Sequence, residues 1–264
     1  MSYRDKKYNT MLVTVEDGIA LVQFNRPEAL NAVNSEMMAE RAEIYEGIAN
    51  DPEVKVMIST GNERAYCAGG DLKAFVSFGV KEAREFADGV VKTSQLVTNM
   101  RIPTIAMVAG FAMGGGLESL LNHDLVICAD NSKFAVPEIN VGIFPGGGGT
   151  QKLPQVMSLK KAKELVFFGE VFDAQTALEL GIVNKVVPLA ELKETTMKWA
   201  KKLTKKPPFS LRMAKEGLNA AWSTSLDKGL QIETDGWAMC YGTQDQEEGM
   251  TAFIEKRKPE YTGK

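Results

Sequence analysis

The stretch Val108-Ala109-Gly110-Phe111-Ala112-Met113-Gly114-Gly115-Gly116-Leu117-Glu118 decides how this chain folds. It continues an apolar, strand-like run that begins at Thr104 and passes through glycines into a helical pattern. Glycines just before a helix let backbone N–H groups face a ligand, and the helix N-terminus adds partial positive charge. Such a turn suits an oxygen on which negative charge develops. The same glycines also permit close packing and nothing more, with Glu118 a favourable acid in the first turn. No G-x-G-x-x-G occurs at this turn and no Gly-Lys-Ser/Thr follows it, so neither a dinucleotide fingerprint nor a Walker A loop is present.

The pattern repeats on either side. Upstream, Val54–Thr60 is a strand-like run followed by Ala68-Gly69-Gly70-Asp71. Downstream, Leu125–Ala129 and Lys133–Val136 lead into Pro137-Glu138 and then Pro145-Gly146-Gly147-Gly148-Gly149-Thr150. Strand, glycine turn and helix in succession fit an α/β spiral of repeated β-β-α turns better than a Rossmann sheet, although the residues alone leave both open. Near the start, Met11–Val15 and Ile19–Phe24 flank Glu16-Asp17-Gly18 as a hairpin, and residues 34–49 form an amphipathic helix capped by Asn34 or Ser35. Ile182–Val187 reads as a strand. Helices are expected over 190–205, 209–221, 226–240 and 244–257. Lys205-Lys206-Pro207-Pro208 divides a core, 1–205, from a C-terminal helical segment, 206–264. That segment carries Trp222, Trp237, Met239, Phe253 and Ile254, which need a surface to cover, on the core or on a neighbouring subunit.

Composition narrows the chemistry. The 264 residues carry 31 Lys+Arg against 34 Asp+Glu, a net charge of −3, so nothing global draws the chain to nucleic acid or anionic membrane. Cys67, Cys128 and Cys240 stand far apart without a C-x-x-C spacing, which suggests neither a disulfide framework nor a metal site. The first residues are polar and no apolar run reaches the ~18 residues of a membrane span. A cytoplasmic protein with reduced thiols is expected. Only one histidine is present, His123, so acid–base chemistry at neutral pH must rest largely on other groups. Cys67 reads as a small apolar filler, and Phe75, Phe78 and Phe144 as core.

Taken together, the 108–118 stretch, Asp124-Leu125, Phe134-Ala135-Val136-Pro137-Glu138-Ile139 and Gly142-Ile143-Phe144-Pro145-Gly146 resemble the crotonase (enoyl-CoA hydratase/isomerase) superfamily. Asn25-Arg26-Pro27, Ala29-Leu30-Asn31-Ala32, Cys67-Ala68-Gly69-Gly70-Asp71-Leu72-Lys73 and the stretch from Glu248 to Arg257 match it too, nearly end to end. The resemblance implies a crotonase-type spiral and an acyl-CoA enzyme in which the backbone N–H groups of Gly70 and Gly115 receive the thioester oxygen. Glu118 and Glu138, spaced as in the hydratases, would add water across a trans-2-enoyl-CoA. Glu118 would take a proton from the attacking water and Glu138 would give one to C2, with the Gly146 N–H assisting. It implies adenine recognition by the backbones of Ala68 and Leu72, beside Ala29 and Asp71. Arg64, Lys73 and a neighbouring subunit's Lys256 would meet the phosphates. Many hydratases carry Lys or Arg where this chain has Glu28. Isomerisation, dehydration of a carnitinyl-CoA-like substrate and hydration of cyclic or aromatic dienoyl-CoA are alternatives within the family, and a non-catalytic acyl-CoA- or RNA-binding homologue that keeps the fold is an alternative of another class. No cofactor is implied beyond the CoA of the substrate. The assembly implied is a trimer or a dimer of trimers.

Overall fold

The computed structural model describes residues 2–264. The chain opens with the hairpin of β1 (Met11–Glu16) and β2 (Ile19–Phe24), closed by Asp17 and Gly18 in left-handed conformation, which matches the twist of a two-residue turn. The helix α1 (Ser35–Ala49) starts where the Asn34 side chain accepts from Met37 N at 2.9 Å, and it buries Met37, Ile44, Tyr45 and Ile48.

The spiral follows. The strand β3 (Val56–Thr60) precedes β4 (Ala65–Cys67), then α2 (Leu72–Phe75) and α3 (Val80–Thr98). The next turn has β5 (Thr104–Val108), β6 (Phe111–Met113) and α4 (Gly115–Leu120), and the third has β7 (Leu125–Ala129) and β8 (Lys133–Ala135). After α5 (Gly149–Val156) and α6 (Leu159–Phe168) come β9 (Phe172–Asp173), α7 (Ala174–Glu179) and β10 (Lys185–Val187). The first strand of each turn joins a six-stranded sheet ordered β1-β2-β3-β5-β7-β10, and the second joins a four-stranded sheet ordered β4-β6-β8-β9. Two stacked sheets thus replace the single sheet of a Rossmann fold. All five residues of β3 and of β5 are buried, as central parallel strands require. The corner between the sheets is tight: a Cβ on Gly110, at φ +61°, would stand 2.0 Å from the Arg64 carbonyl oxygen.

One core lies between the two sheets and α1, around Phe24, Tyr66, Leu117 and Phe134. A second lies between the large sheet and α8 (Leu192–Leu203), where Ile58, Ile105 and Ile127 meet Leu192 and Ala200. The last helices are α9 (Pro208–Ala220), α10 (Leu226–Cys240) and α11 (Gln244–Ile254). Lys215 Nζ pins α9 to the core by donating to Asp124 Oδ2 at 2.8 Å and to the Ile102 carbonyl at 3.2 Å. Trp222, Trp237, Met239, Phe253 and Ile254 are exposed on the single chain.

Two expectations are corrected. The strand expected over 182–187 begins only at Lys185, because Ile182 and Val183 send their N–H groups back to the Ala177 carbonyl and close α7. Phe144 is not core: it stands exposed in the loop between residues 142 and 148.

Candidate active site

The glycine turns meet at one place. Gly115 is the first residue of α4, so its N–H has no partner within the helix. Opposite it runs the turn from Ala68 to Asp71. Val33 pairs with this turn by donating to the Gly69 carbonyl at 2.8 Å and accepting from Asp71 N at 3.0 Å. The groups flanking Gly70 are thereby committed to Val33, and the alternation of an extended chain turns the Gly70 N–H the other way. A Cβ on Gly69 would lie 3.5 Å from Gly115 N, and one on Gly115 would lie 3.9 Å from both Gly69 Cα and Glu118 Oε2. Two amides and a carboxylate share one small space.

Glu118 is almost fully buried, and its carboxylate is gripped. Gly147 N donates to its two oxygens at 2.9 and 3.0 Å, and Gly149 N, at the start of α5, donates to Oε1 at 2.7 Å. Burial raises its pKa above the ordinary carboxylate range, and the Gly149 and Gly147 amides act against that rise by favouring the ionised form. Glu138 sits in a 3-10 turn, Pro137–Val141. Its Oε1 lies 3.0 Å from where a Cβ on Gly114 would be, and its Oε2 is buried without a partner. Burial pushes Glu138 up to about 7, and the neighbouring charge of Glu118 adds to the effect. Amides donate to one carboxylate and favour its charge against burial; the other has a buried oxygen without a partner and is pushed up to about 7.

An apolar wall closes over this space. The rings of Phe75, Phe78 and Phe86 pack together, with centroids 4.7 to 6.1 Å apart. Phe75 Cε2 stands 2.2 Å from the position of a Cβ on Gly70, and Val90 Cγ1 stands 3.1 Å from that of Gly147. Phe75 and Phe78, expected as core, are half-buried members of this wall.

Gly70, Gly115, Glu118 and Glu138 are brought together, and Ala68 and Leu72 bracket the same turn. Ala29 lies beside it through the bond from Ala68 N to the Leu30 carbonyl, 3.0 Å. Lys73 is exposed at the start of α2. Asp71 caps that helix through Lys73 N at 3.2 Å and accepts from Arg26 Nη2 at 3.1 Å, so its carboxylate is already occupied. Gly146 is exposed, next to the gripping Gly147. Arg64 stands at the far end of β4 from the turn, and Lys256 follows α11 with a left-handed backbone. Sequence reasoning missed Gly147 and Gly149 as donors to Glu118; the run of four glycines was the signal. It also missed Asn122, whose Nδ2 donates to the Glu118 carbonyl at 2.9 Å. His123 is buried, with Nδ1 donating to the Ser119 carbonyl at 2.9 Å and Nε2 accepting from Ser59 Oγ at 2.8 Å; burial pulls it down to about 3, so it packs as a neutral ring. Cys67 is buried, and burial raises its thiol pKa.

Residues 14–264 match the family model described as enoyl-CoA hydratase/isomerase. The chain belongs to the enoyl-CoA hydratase/isomerase family. It is 38% identical over 258 residues to the crotonyl-CoA hydratase of Syntrophomonas wolfei, covering 97% of this chain and 99% of that one. To the short-chain-enoyl-CoA hydratase of Clostridium acetobutylicum it is 37% identical over 253 residues, 96% and 97% of the two chains. The crystal structure of an enoyl-CoA hydratase from Bacillus anthracis superposes with a TM-score of 0.93 at 33% identity, covering 97% of this chain and all of that one. The two-sheet spiral is the fold of this family. No helix among the described residues is long and apolar enough to cross a membrane.

Proposed function

We propose that this enzyme hydrates trans-2-enoyl-CoA to 3-hydroxyacyl-CoA. The observation that carries the proposal is the unequal treatment of two neighbouring carboxylates, Glu118 gripped by amides and Glu138 with a buried oxygen that has no partner. The thioester oxygen takes the N–H groups of Gly70 and Gly115. Glu118 accepts a proton from water as the water oxygen bonds to C3, and the C2=C3 electron pair moves to give an enolate. The two amides stabilise that enolate. Glu138 then gives its proton to C2, and proton exchange restores both groups. Two carboxylates with separated protonation states supply acid and base without histidine. The Gly146 N–H is assigned to the attacking water.

The 68–73 turn is assigned to CoA, with the Ala68 and Leu72 backbones and Ala29 at the adenine. Lys73, Arg64 and a neighbouring subunit's Lys256 are assigned to the phosphates. No further cofactor enters this scheme. The exposed side chains of α9–α11 support assembly as a trimer or a dimer of trimers, and light scattering should give about three or six times the chain mass. A monomer would contradict it. A cytoplasmic location is supported by three free cysteines.

The deciding experiment follows loss of the enoyl-thioester absorbance band with crotonyl-CoA, the substrate in the name of a close relative, and with longer, branched and aromatic enoyl-CoAs. Turnover of at least one is expected. Absence of hydration across the series would sink the proposal.

A further inference from the structure

Apart from Ala29, assigned above to the adenine, the Asn25-Arg26-Pro27 and Ala29-Leu30-Asn31-Ala32 stretches have no part in the chemistry described so far, yet their bonds converge on the turn that carries Gly70. Asn31 is fully buried and left-handed at φ +58°, directly after Leu30 at φ +49°. Its Oδ1 accepts from Arg26 N at 2.9 Å, and its Nδ2 donates to the Ala65 carbonyl at 2.9 Å and the Tyr66 carbonyl at 3.3 Å. The Arg26 guanidinium, mostly shielded from solvent, donates through Nη1 to the Ala32 carbonyl and through Nη2 to Asp71 Oδ2. Backbone bonds at Leu30 and Val33 hold Ala68, Gly69 and Asp71. Two successive non-glycine residues in a sparsely populated backbone region persist only where the surroundings hold them.

A turn containing Gly69-Gly70 has little stiffness of its own. An oxyanion donor works only when its direction is held closely. We infer that residues 26–33 are a splint for the Gly70 N–H, with Arg26 and Asn31 as positioning residues acting through Asp71 and the 65–71 backbone. This inference rests on the hydratase reading for its consequence in rate, and on geometry alone for the direction of the amide.

The test uses the enzyme and four variants: Arg26→Ala, Asp71→Ala, the double variant, and Arg26→Lys as the conservative form. Two readouts are taken: kcat with crotonyl-CoA, and the absorbance red shift of bound 4-dimethylaminocinnamoyl-CoA, which reports polarisation of the thioester carbonyl. Arg26→Ala and Asp71→Ala should each lower kcat by roughly tenfold or more and shrink the red shift. The double variant should be little worse than the more damaging single, since each single already removes the Arg26–Asp71 bond. Arg26→Lys keeps the charge but cannot reach both acceptors, and it should recover part of both readouts. Unchanged kcat and red shift with only a lower Tm would overturn the inference, as would losses that multiply in the double variant. If the wild type hydrated nothing, the functional reading would fall, while the red shift of wild type against Arg26→Ala would still decide the splint.

Discussion

Replacing either carboxylate of the pair by its amide, Glu118→Gln or Glu138→Gln, is expected to lower kcat for crotonyl-CoA by ~100-fold or more with little change in KM. Both groups move protons only in the transition state, so substrate binding barely senses the exchange. The two losses have different physical origins. In Glu138→Gln the acid disappears, although an isostere still fills the place beside Gly114. In Glu118→Gln an oxygen in the place of Oε1 still accepts from Gly147 and Gly149, but the base is gone and the NH2 in the place of Oε2 faces the Gly147 N–H.

The pH profile separates them. Hydration needs Glu138 protonated, so kcat/KM should fall as pH rises through about 7, and fall again on the acid side as Glu118 takes up a proton. In Glu138→Gln the upper limb should vanish. Stability has the same sign. Because the folded pKa of Glu138 lies above its unfolded value, its favourable effect is present below about 4.5 and is lost as pH rises toward about 7. Thermal melts at pH 8 should therefore show Glu138→Gln above the wild type, and the two should converge at acid pH. A residual rate near wild type in either variant would remove the two-carboxylate mechanism.

Gly116→Ala should be nearly as damaging, through geometry alone. A Cβ there would stand 2.1 Å from the Cys67 carbonyl oxygen and 2.9 Å from its carbon. Both are backbone atoms, so no rotamer relieves the clash, and α4 must move away from the segment that leads into the Gly70 turn. Overpacking of this kind costs roughly 1–3 kcal/mol, a few degrees in Tm. The movement also parts the two amides, and loss of one oxyanion donor costs ~100- to 1,000-fold in kcat. Melting curves and kcat measured on the same preparation test both. A rate preserved beside a lowered Tm would show that the amides tolerate separation.

Much of this was legible because its causes are local. The hairpin at Asp17-Gly18 needs a left-handed turn, α1 needs Asn34 and an apolar face, and each spiral turn needs glycine where sheet gives way to helix. The resemblance marked Glu118 and Glu138 as a pair. It gave each a role, but the grip on Glu118 was not legible, since its donors lie 29 and 31 residues away and come together only in the folded chain. Of the second sheet only β8 showed as an apolar run: β4 and β6 are three residues each and exist by pairing with each other and with β8. Residues 182–184 have strand composition, but α7 claims the N–H groups of Ile182 and Val183 first. Arg26 appeared as part of a motif, and only the folded chain shows its partner, Asp71.

The burial of His123 has a consequence for how the enzyme exchanges protons with its buffer. With that ring pulled down to about 3, the chain's single histidine no longer titrates near neutrality. A protein of this size normally hides its active-site ionisations beneath those of several histidines. Here the Glu138 carboxyl, pushed up to about 7 by burial, titrates in the window that the histidine leaves empty. Calorimetric or potentiometric counting of protons released when an acyl-CoA binds would therefore report the acid of the active site almost without background.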